Sequence, residues 1–334
     1  MQYGKLGQAN VTVSKICLGT MHFGTVTPED ESMRIMDRAL EMGINFFDTA
    51  NVYGRRVSAG LTEEIIGRWF AQGNGRREQV VLATKVYGQM NNDNNPPPNE
   101  DRGVSSYKVR KHVTDSLRRL QTDHIDLYQV HHVDRRIRLE EFWNTFERLI
   151  YNGDVLYMGT SNFPGWVIAK YQMYALQHGL LGFVSEQAQY NLLSRYPELD
   201  VIPAARDFGI GLIPYMPLAG GILTGKKPIV EGSRTQSVIA EYGLRVESSQ
   251  LDAFSAFCRE IGETEQVVSI AWVLANPVVS SAIVGVRTVE HLDGLDRAAE
   301  FKLSPEQMTR LDEMFNINSG RPLGKGEAPE AFAW

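Results

Sequence analysis

Four residues with complementary proton chemistry stand at the ends of short apolar runs in this 334-residue chain. They are Asp48 in Asn45-Phe46-Phe47-Asp48-Thr49-Ala50, Tyr53 in Asn51-Val52-Tyr53-Gly54, Lys85 in Ala83-Thr84-Lys85, and His131 in Leu127-Tyr128-Gln129-Val130-His131. Together they suit proton donation by a phenol. An isolated tyrosine, with a pKa of about 10, is a poor acid near neutrality. A nearby ammonium favours the phenolate and lowers that value, while a carboxylate keeps the ammonium charged and oriented. An imidazole can polarise or position a carbonyl from the opposite side. No side chain donates hydride, so reduction by this set requires a nicotinamide cofactor. Singly, each residue reads as an ordinary polar group or turn cap; only their joint placement favours chemistry.

Elements with regular spacing must bring these residues together. Eight β-branched runs recur: Lys15–Leu18, Asn45–Asp48, Val80–Thr84, Ile125–Val130, Leu156–Thr160, Phe183–Glu186, Gly211–Pro214 and Ala282–Val284. Segments of helical period lie between them, among them Glu29–Glu41, Glu63–Phe70, Ser106–Leu120 and Leu139–Tyr151. The runs are apolar throughout, as expected of parallel strands covered on both faces. Eight strand–helix units predict one α/β domain over residues 1–334, a (β/α)8 TIM barrel whose active-site rim lies at the C-terminal strand ends. Residues 3–14 read as an N-terminal β-hairpin capping the barrel bottom, and 305–317 as an extra C-terminal helix with Pro305 at its first position. Three long connections, 86–105, 225–248 and the tail 319–334, read as lids or binding loops.

Composition narrows the function classes. A hydrophobic fraction of 43% excludes global disorder, and a net charge of -6 gives no basic footprint for nucleic acid. Cys17 and Cys258 are too far apart in the chain for a metal spacing or a disulfide framework and read as buried thiols of a reducing, cytoplasmic compartment. No secretory pattern opens the chain. Val267–Val286 is uncharged and long enough to span a bilayer, but Asn276-Pro277 divides it into a buried helix and a buried strand. No membrane partner is expected.

The Asp48, Tyr53, Lys85 and His131 set, with Gly43-Ile44-Asn45-Phe46-Phe47-Asp48-Thr49-Ala50 and Ser161-Asn162-Phe163, resembles the aldo-keto reductase superfamily from the hairpin to the C-terminal helix. The resemblance implies a barrel binding extended NADPH, hydride transfer from nicotinamide to a carbonyl carbon, Tyr53 as general acid, Lys85 and Asp48 as its tuning pair, and His131 orienting substrate. It implies that Ser161, Asn162 and Gln187 meet the carboxamide and that Tyr215 stacks on the nicotinamide. Pro217, Leu218, Gly220, Gly225 and Lys226 fall in the loop expected over the pyrophosphate. Gly285, Arg287 and His291 fall at the strand-to-helix junction expected to take the 2′-phosphate end. Many relatives carry Trp-Ser where this chain has Tyr215-Met216, and Glu-Asn where it has Gly294-Leu295.

Within the superfamily, the run Arg118-Arg119-Leu120-Gln121-Thr122-Asp123-His124-Ile125-Asp126-Leu127-Tyr128-Gln129 and the tail 326–334 are similar to bacterial members. Some of these reduce nucleotide-diphosphohexoses in deoxysugar biosynthesis. A small carbonyl compound is the expected partner, with a nucleotide-diphosphosugar as the candidate class; the oligomeric state is left open. Two other readings compete. One is a cofactor-sensing partner resembling channel β-subunits. The other is a metal enzyme using His131, His132 and Asp48, disfavoured because adjacent strand residues point to opposite faces; no metal is expected.

Overall fold

The computed structural model describes residues 1–90, 98–99, 102–225, 234–241, 244 and 246–316. Among the described residues ten strands run in chain order: β1 (Tyr3–Leu6), β2 (Ala9–Ser14), β3 (Ile16–Gly19), β4 (Phe46–Asp48), β5 (Val81–Val86), β6 (Ile125–Val130), β7 (Val155–Ser161), β8 (Phe183–Gln187), β9 (Gly211–Leu212) and β10 (Ala282–Gly285). The helices are α1 (Glu29–Glu41), α2 (Leu61–Phe70), α3 (Ser106–Leu120), α4 (Leu139–Asn152), α5 (Gly165–Gln177), α6 (Val201–Asp207), α7 (Arg234–Glu241), α8 (Ser248–Glu260), α9 (Glu265–Ala275), α10 (Leu295–Glu300) and α11 (Pro305–Met314).

Strands β3 to β9 pair in parallel in sequence order, and β10 pairs with β3. The ring closes between β9 and β10: Leu212 N donates to Val278 O, Ser280 N to Leu212 O and Ile283 N to Pro214 O, each at 2.8 Å. This is the (β/α)8 barrel. The seventh barrel strand, expected over Gly211–Pro214, is two residues long because proline has no N–H to continue the ladder.

The strands look uniformly apolar in sequence, yet they alternate strictly in space. Cys17, Phe46, Ala83, Leu127, Ile213 and Ile283 fill the barrel interior, while Leu18, Phe47, Leu82, Tyr128, Met158, Leu212 and Val284 join the larger core with the helices. Two residues further along, the same inward face presents Asp48, Lys85, Gln129, Tyr215 and Gly285. An apolar plug below thus supports a polar layer above.

The bottom is closed by the β1–β2 hairpin. Leu6, Ala9 and Val13 extend the interior cluster, and Gly7 N donates to Ser280 Oγ at 3.1 Å. Gly7 has φ 55, and a Cβ there would stand 2.2 Å from Val184 O, so only glycine fits this approach. At the other end of the chain, Ser304 and Gln307 form a reciprocal capping box that starts α11. The helix stops at Met314, short of the expected 317, a residue outside those described. The uncharged stretch resolves into α9 and β10, and among the described residues no helix is long and apolar enough to cross a membrane.

Candidate active site

The polar layer is a connected network. Lys85 Nζ donates to Asp48 Oδ2 at 2.6 Å, to Thr49 O at 2.9 Å and to Tyr53 Oη at 3.2 Å. The other carboxylate oxygen, Oδ1, accepts from Gln129 Nε2 and Gln187 Nε2, both at 2.9 Å, and Gln187 Nε2 also reaches Gln129 Oε1 at 3.1 Å. Lys85 is fully buried and Asp48 nearly so, which makes each bond of this ion pair strong and its members unable to spread into solvent. His131 lies across from the phenol, its ring edge-on to Tyr53 at 6.1 Å between centroids. Three adjacent strands, β4, β5 and β6, with the loops that follow β4 and β6, therefore bring Asp48, Tyr53, Lys85 and His131 together.

Electrostatics revise the expected tuning. Burial disfavours a charged Lys85, but Asp48 and Tyr53 outweigh it, and the ammonium is held above its ordinary value of 10.5. For Tyr53, burial raises the pKa above 10.0, Lys85 pulls it down, and Asp48 pushes it up again. The net direction is upward, opposite to the lowering expected from the ammonium alone. Enclosure penalises the phenolate more than Lys85 favours it, because the ammonium's charge is already shared with Asp48. Burial, then Lys85 and His132, drive His131 well below 6.5. The resting set is a protonated phenol, an ammonium and a neutral imidazole. It can donate a proton from Tyr53, with Lys85 positioned to stabilise the phenolate as it forms.

A second correction concerns the paired histidines. Strand β6 ends at Val130, so alternation does not extend to His131 and His132. Their rings stack at 4.9 Å and 5°, and Tyr87 meets His132 edge-on at 5.3 Å. The argument from opposite faces fails, although among the described residues no group of three or more His, Cys, Asp or Glu is placed to hold a metal ion.

The other implied residues divide into an ordered and an open set. Ser161 ends β7, and Asn162 follows with φ 58. Asn162 Nδ2 donates to His131 O and Ser161 Oγ, both at 3.1 Å, and Tyr215 Oη donates to Asn162 Oδ1 at 3.0 Å. Gln187 uses its amide hydrogens on Asp48 and Gln129, which leaves its carbonyl oxygen to face a carboxamide. Pro217 is buried and Leu218 half-buried in a loop where Met216, Ala219, Gly220, Gly221 and Gly225 all have positive φ. Such crowding of strained backbone, with two non-glycine members, is characteristic of a ligand clamp. A Cβ at Gly221 would meet nothing, so open space adjoins that backbone. Lys226 lies outside the described residues, as does the tail 326–334. Gly285 and His291 are exposed and Arg287 is half-buried. Arg287 N donates to His291 Nδ1 at 3.3 Å, and the turn after it is a four-residue 3-10 turn, Val289–Leu292.

These features match one known family across the barrel: the aldo/keto reductase family profile matches residues 15–316. The chain belongs to the aldo/keto reductase family. It is 49% identical to the uncharacterized oxidoreductase YrpG of Bacillus subtilis (strain 168) over the full length of both chains. It is 34% identical to the aryl-alcohol dehydrogenase [NADP(+)] of Phanerodontia chrysosporium, over 93% of this chain and 84% of that one. In structure it is similar to the holo form of aldo-keto reductase AKR11C1 from Bacillus halodurans, with TM-score 0.78 and 28% identity, covering 95% of this chain and 97% of that one.

Two members of the site of this aldo/keto reductase carried no assigned role in the sequence. Gln129 braces Asp48 directly; its signal was its place two residues after Leu127, on the inward face of β6. Gln189 lies two residues past Gln187, and its Nε2 is buried with no hydrogen-bond partner among the described residues. Its backbone bridges to Tyr215. A buried donor without a partner at a barrel mouth suits a site that a ligand completes.

Proposed function

We propose that this aldo/keto reductase is an NADPH-dependent cytoplasmic enzyme that reduces an aldehyde or ketone with Tyr53 as general acid. The observation that carries this reading is the position of Lys85 Nζ, 2.6 Å from Asp48 Oδ2 and 3.2 Å from Tyr53 Oη. A nicotinamide supplies the hydride when bound. Ser161, Asn162 and the carbonyl oxygen of Gln187 would hold its carboxamide, and Tyr215 its ring face. Gly220, Gly221 and Gly225 permit close approach of a pyrophosphate, and Arg287 meets a 2′-phosphate with a guanidinium fork. Tyr53 then gives its proton to the carbonyl oxygen, Lys85 stabilises the phenolate, and neutral His131 positions that oxygen by hydrogen bonding. Two buried free thiols, Cys17 and Cys258, fit a reducing compartment.

For the substrate we propose a nucleotide-linked ketosugar of deoxysugar biosynthesis. Arg55, Arg56, Arg102 and Arg135 are exposed on the loops that follow β4, β5 and β6, where forks suit a diphosphate. Arg136 is otherwise engaged, linking Asp134 at 3.3 Å to the carbonyl of Arg102. A second reading, a broad-specificity aldehyde and ketone reductase, is favoured by the aromatic cluster of Tyr87, His132 and His131 beside Tyr53, whose ring surfaces suit an aryl carbonyl; the relative named as an aryl-alcohol dehydrogenase fits it. NADPH oxidation measured against simple aldehydes, aryl ketones and nucleotide-linked ketosugars decides between them. Higher kcat/KM for the nucleotide-linked sugar than for the free sugar supports the first reading, and equal use of small aldehydes supports the second. No oxidation with any carbonyl would overturn both.

A further inference from the structure

The outward faces of the barrel strands are mostly apolar where they meet the helices, and on β8 a carboxylate interrupts them. Glu186 is fully buried, and its neighbours in the ladder are Thr160 of β7 and Leu212 of β9. Thr160 Oγ1 donates to Glu186 Oε2, and Phe163 N donates to Oε1 at 3.1 Å. The carboxyl thus clamps both sides of Ser161-Asn162, from outside the barrel. Between the two clamped residues the chain turns through Asn162 at φ 58, a conformation a non-glycine residue keeps only when its surroundings enforce it. Asn162 N is itself spent on Gln187 O at 3.0 Å, and its side chain reaches His131 O and Tyr215 Oη. Glu186 therefore stands behind the residue that joins β6, β7 and β9 at the rim. Burial, only partly offset by these hydrogen bonds, raises the carboxyl to about 8, a desolvation cost that an apolar side chain would not carry.

We propose that Glu186 is a positioning residue: it holds the Ser161-Asn162-Phe163 turn in the shape that receives a nicotinamide carboxamide, and it is retained for that and not for stability. The assignment rests on the nicotinamide reading above. It predicts that the same substitution weakens cofactor grip by more than it changes stability. Glu186→Leu removes the acceptor for Phe163 N but also the desolvation of the carboxyl, two opposing effects, so it unfolds in urea close to the wild-type concentration. The same variant binds NADPH about tenfold more weakly, the scale of one buried hydrogen bond, read by quenching of intrinsic fluorescence. Its KM for NADPH rises more than its kcat falls. Glu186→Gln keeps an oxygen toward Phe163 N and retains binding within about threefold. Thr160→Val leaves the carboxyl held on one side only and gives an intermediate loss, a check that does not depend on folding of the leucine variant.

Wild-type affinity in a stably folded Glu186→Leu protein overturns the assignment. So does a loss of binding that merely tracks lost stability across the three variants. If the wild type itself binds no nicotinamide nucleotide by the same titration, the nicotinamide reading falls, and this assignment with it.

Discussion

The two ends of the proposed cofactor path are built on opposite plans. At the β4–β8 rim, Asp48 and Lys85 are buried, and the Asp48 carboxylate receives three side-chain hydrogen bonds from β5, β6 and β8. At the β10 end, Gly285 and His291 are exposed, Arg287 is half-buried, and the polar contacts are mostly to main chain: Thr27 Oγ1 to Arg287 O at 3.1 Å and Glu31 Oε1 from Val289 N at 2.9 Å. The difference follows from what each end must do. Donors and charges set before reaction lower a barrier because nothing must reorganise when charge develops. A nucleotide tail only has to be held, and a half-buried arginine at the surface can do that while allowing release. The reacting end should therefore respond to mutation steeply and to salt little, and the nucleotide end the reverse.

The largest expected effect lies at the reacting end. Tyr53→Phe keeps the ring and removes the transferable proton, so hydride transfer falls at least about 10²-fold, the scale of general acid catalysis, while NADPH titration shows near-normal binding. Near-wild-type single-turnover rates would remove Tyr53 from the chemistry. At the other end, Arg287→Ala should weaken NADPH by roughly 1.5–3 kcal/mol, the worth of a charge-assisted hydrogen bond, and leave NADH almost unchanged. Equal losses for both nucleotides would mean that Arg287 only supports the fold of its loop.

A pH profile sharpens the contrast at smaller amplitude. His131 is held well below its ordinary range and Tyr53 above its own. The imidazole is thus neutral, and the phenol protonated, across neutrality. For Tyr53 the sign is that the acid form persists until pH rises through its raised value, so carbonyl reduction stays flat between about pH 6 and 9. Alcohol oxidation, which needs the phenolate, climbs with pH over that range. A reduction rate that falls steeply below pH 9 would show that bound ligands reverse the upward direction for Tyr53. The smallest effect expected is that of salt. Raising ionic strength from about 0.05 to 0.5 M should raise KM for NADPH and narrow any preference for a nucleotide-linked sugar, with kcat unchanged, because only exposed charges are screened. A kcat that drops equally would place solvent-exposed charge in the chemical step.

Much of the architecture was legible because it depends on local pattern. Helices α1 and α3 and strand β6 fall on the expected residues, set by amphipathic period and β-branched runs. The rim residues were legible because Asp48 closes such a run, Lys85 and His131 directly follow one, and Tyr53 lies in the turn after Asp48. Less legible were Gln129 and Glu186. A glutamine among apolar strand residues carries no mark of which face it takes until the barrel fixes the parity. Glu186 closes a run read as apolar throughout, and only the neighbouring strand shows what its carboxyl clamps. His132 was misread because strand alternation was carried two residues past the end of β6.

The sequence by itself determined the period of every element and the chemical types at the strand ends, since these follow from spacing along one chain. The tertiary structure alone decided the protonation state of Tyr53, the bracing of Asp48 by two glutamines, and the stacking of His131 on His132. Each of these depends on how deeply a group is enclosed and on which residues, 31 to 139 positions away in the chain, surround it. Enclosure and long-range neighbours set the dielectric and the partners of a charge, and no local pattern encodes them.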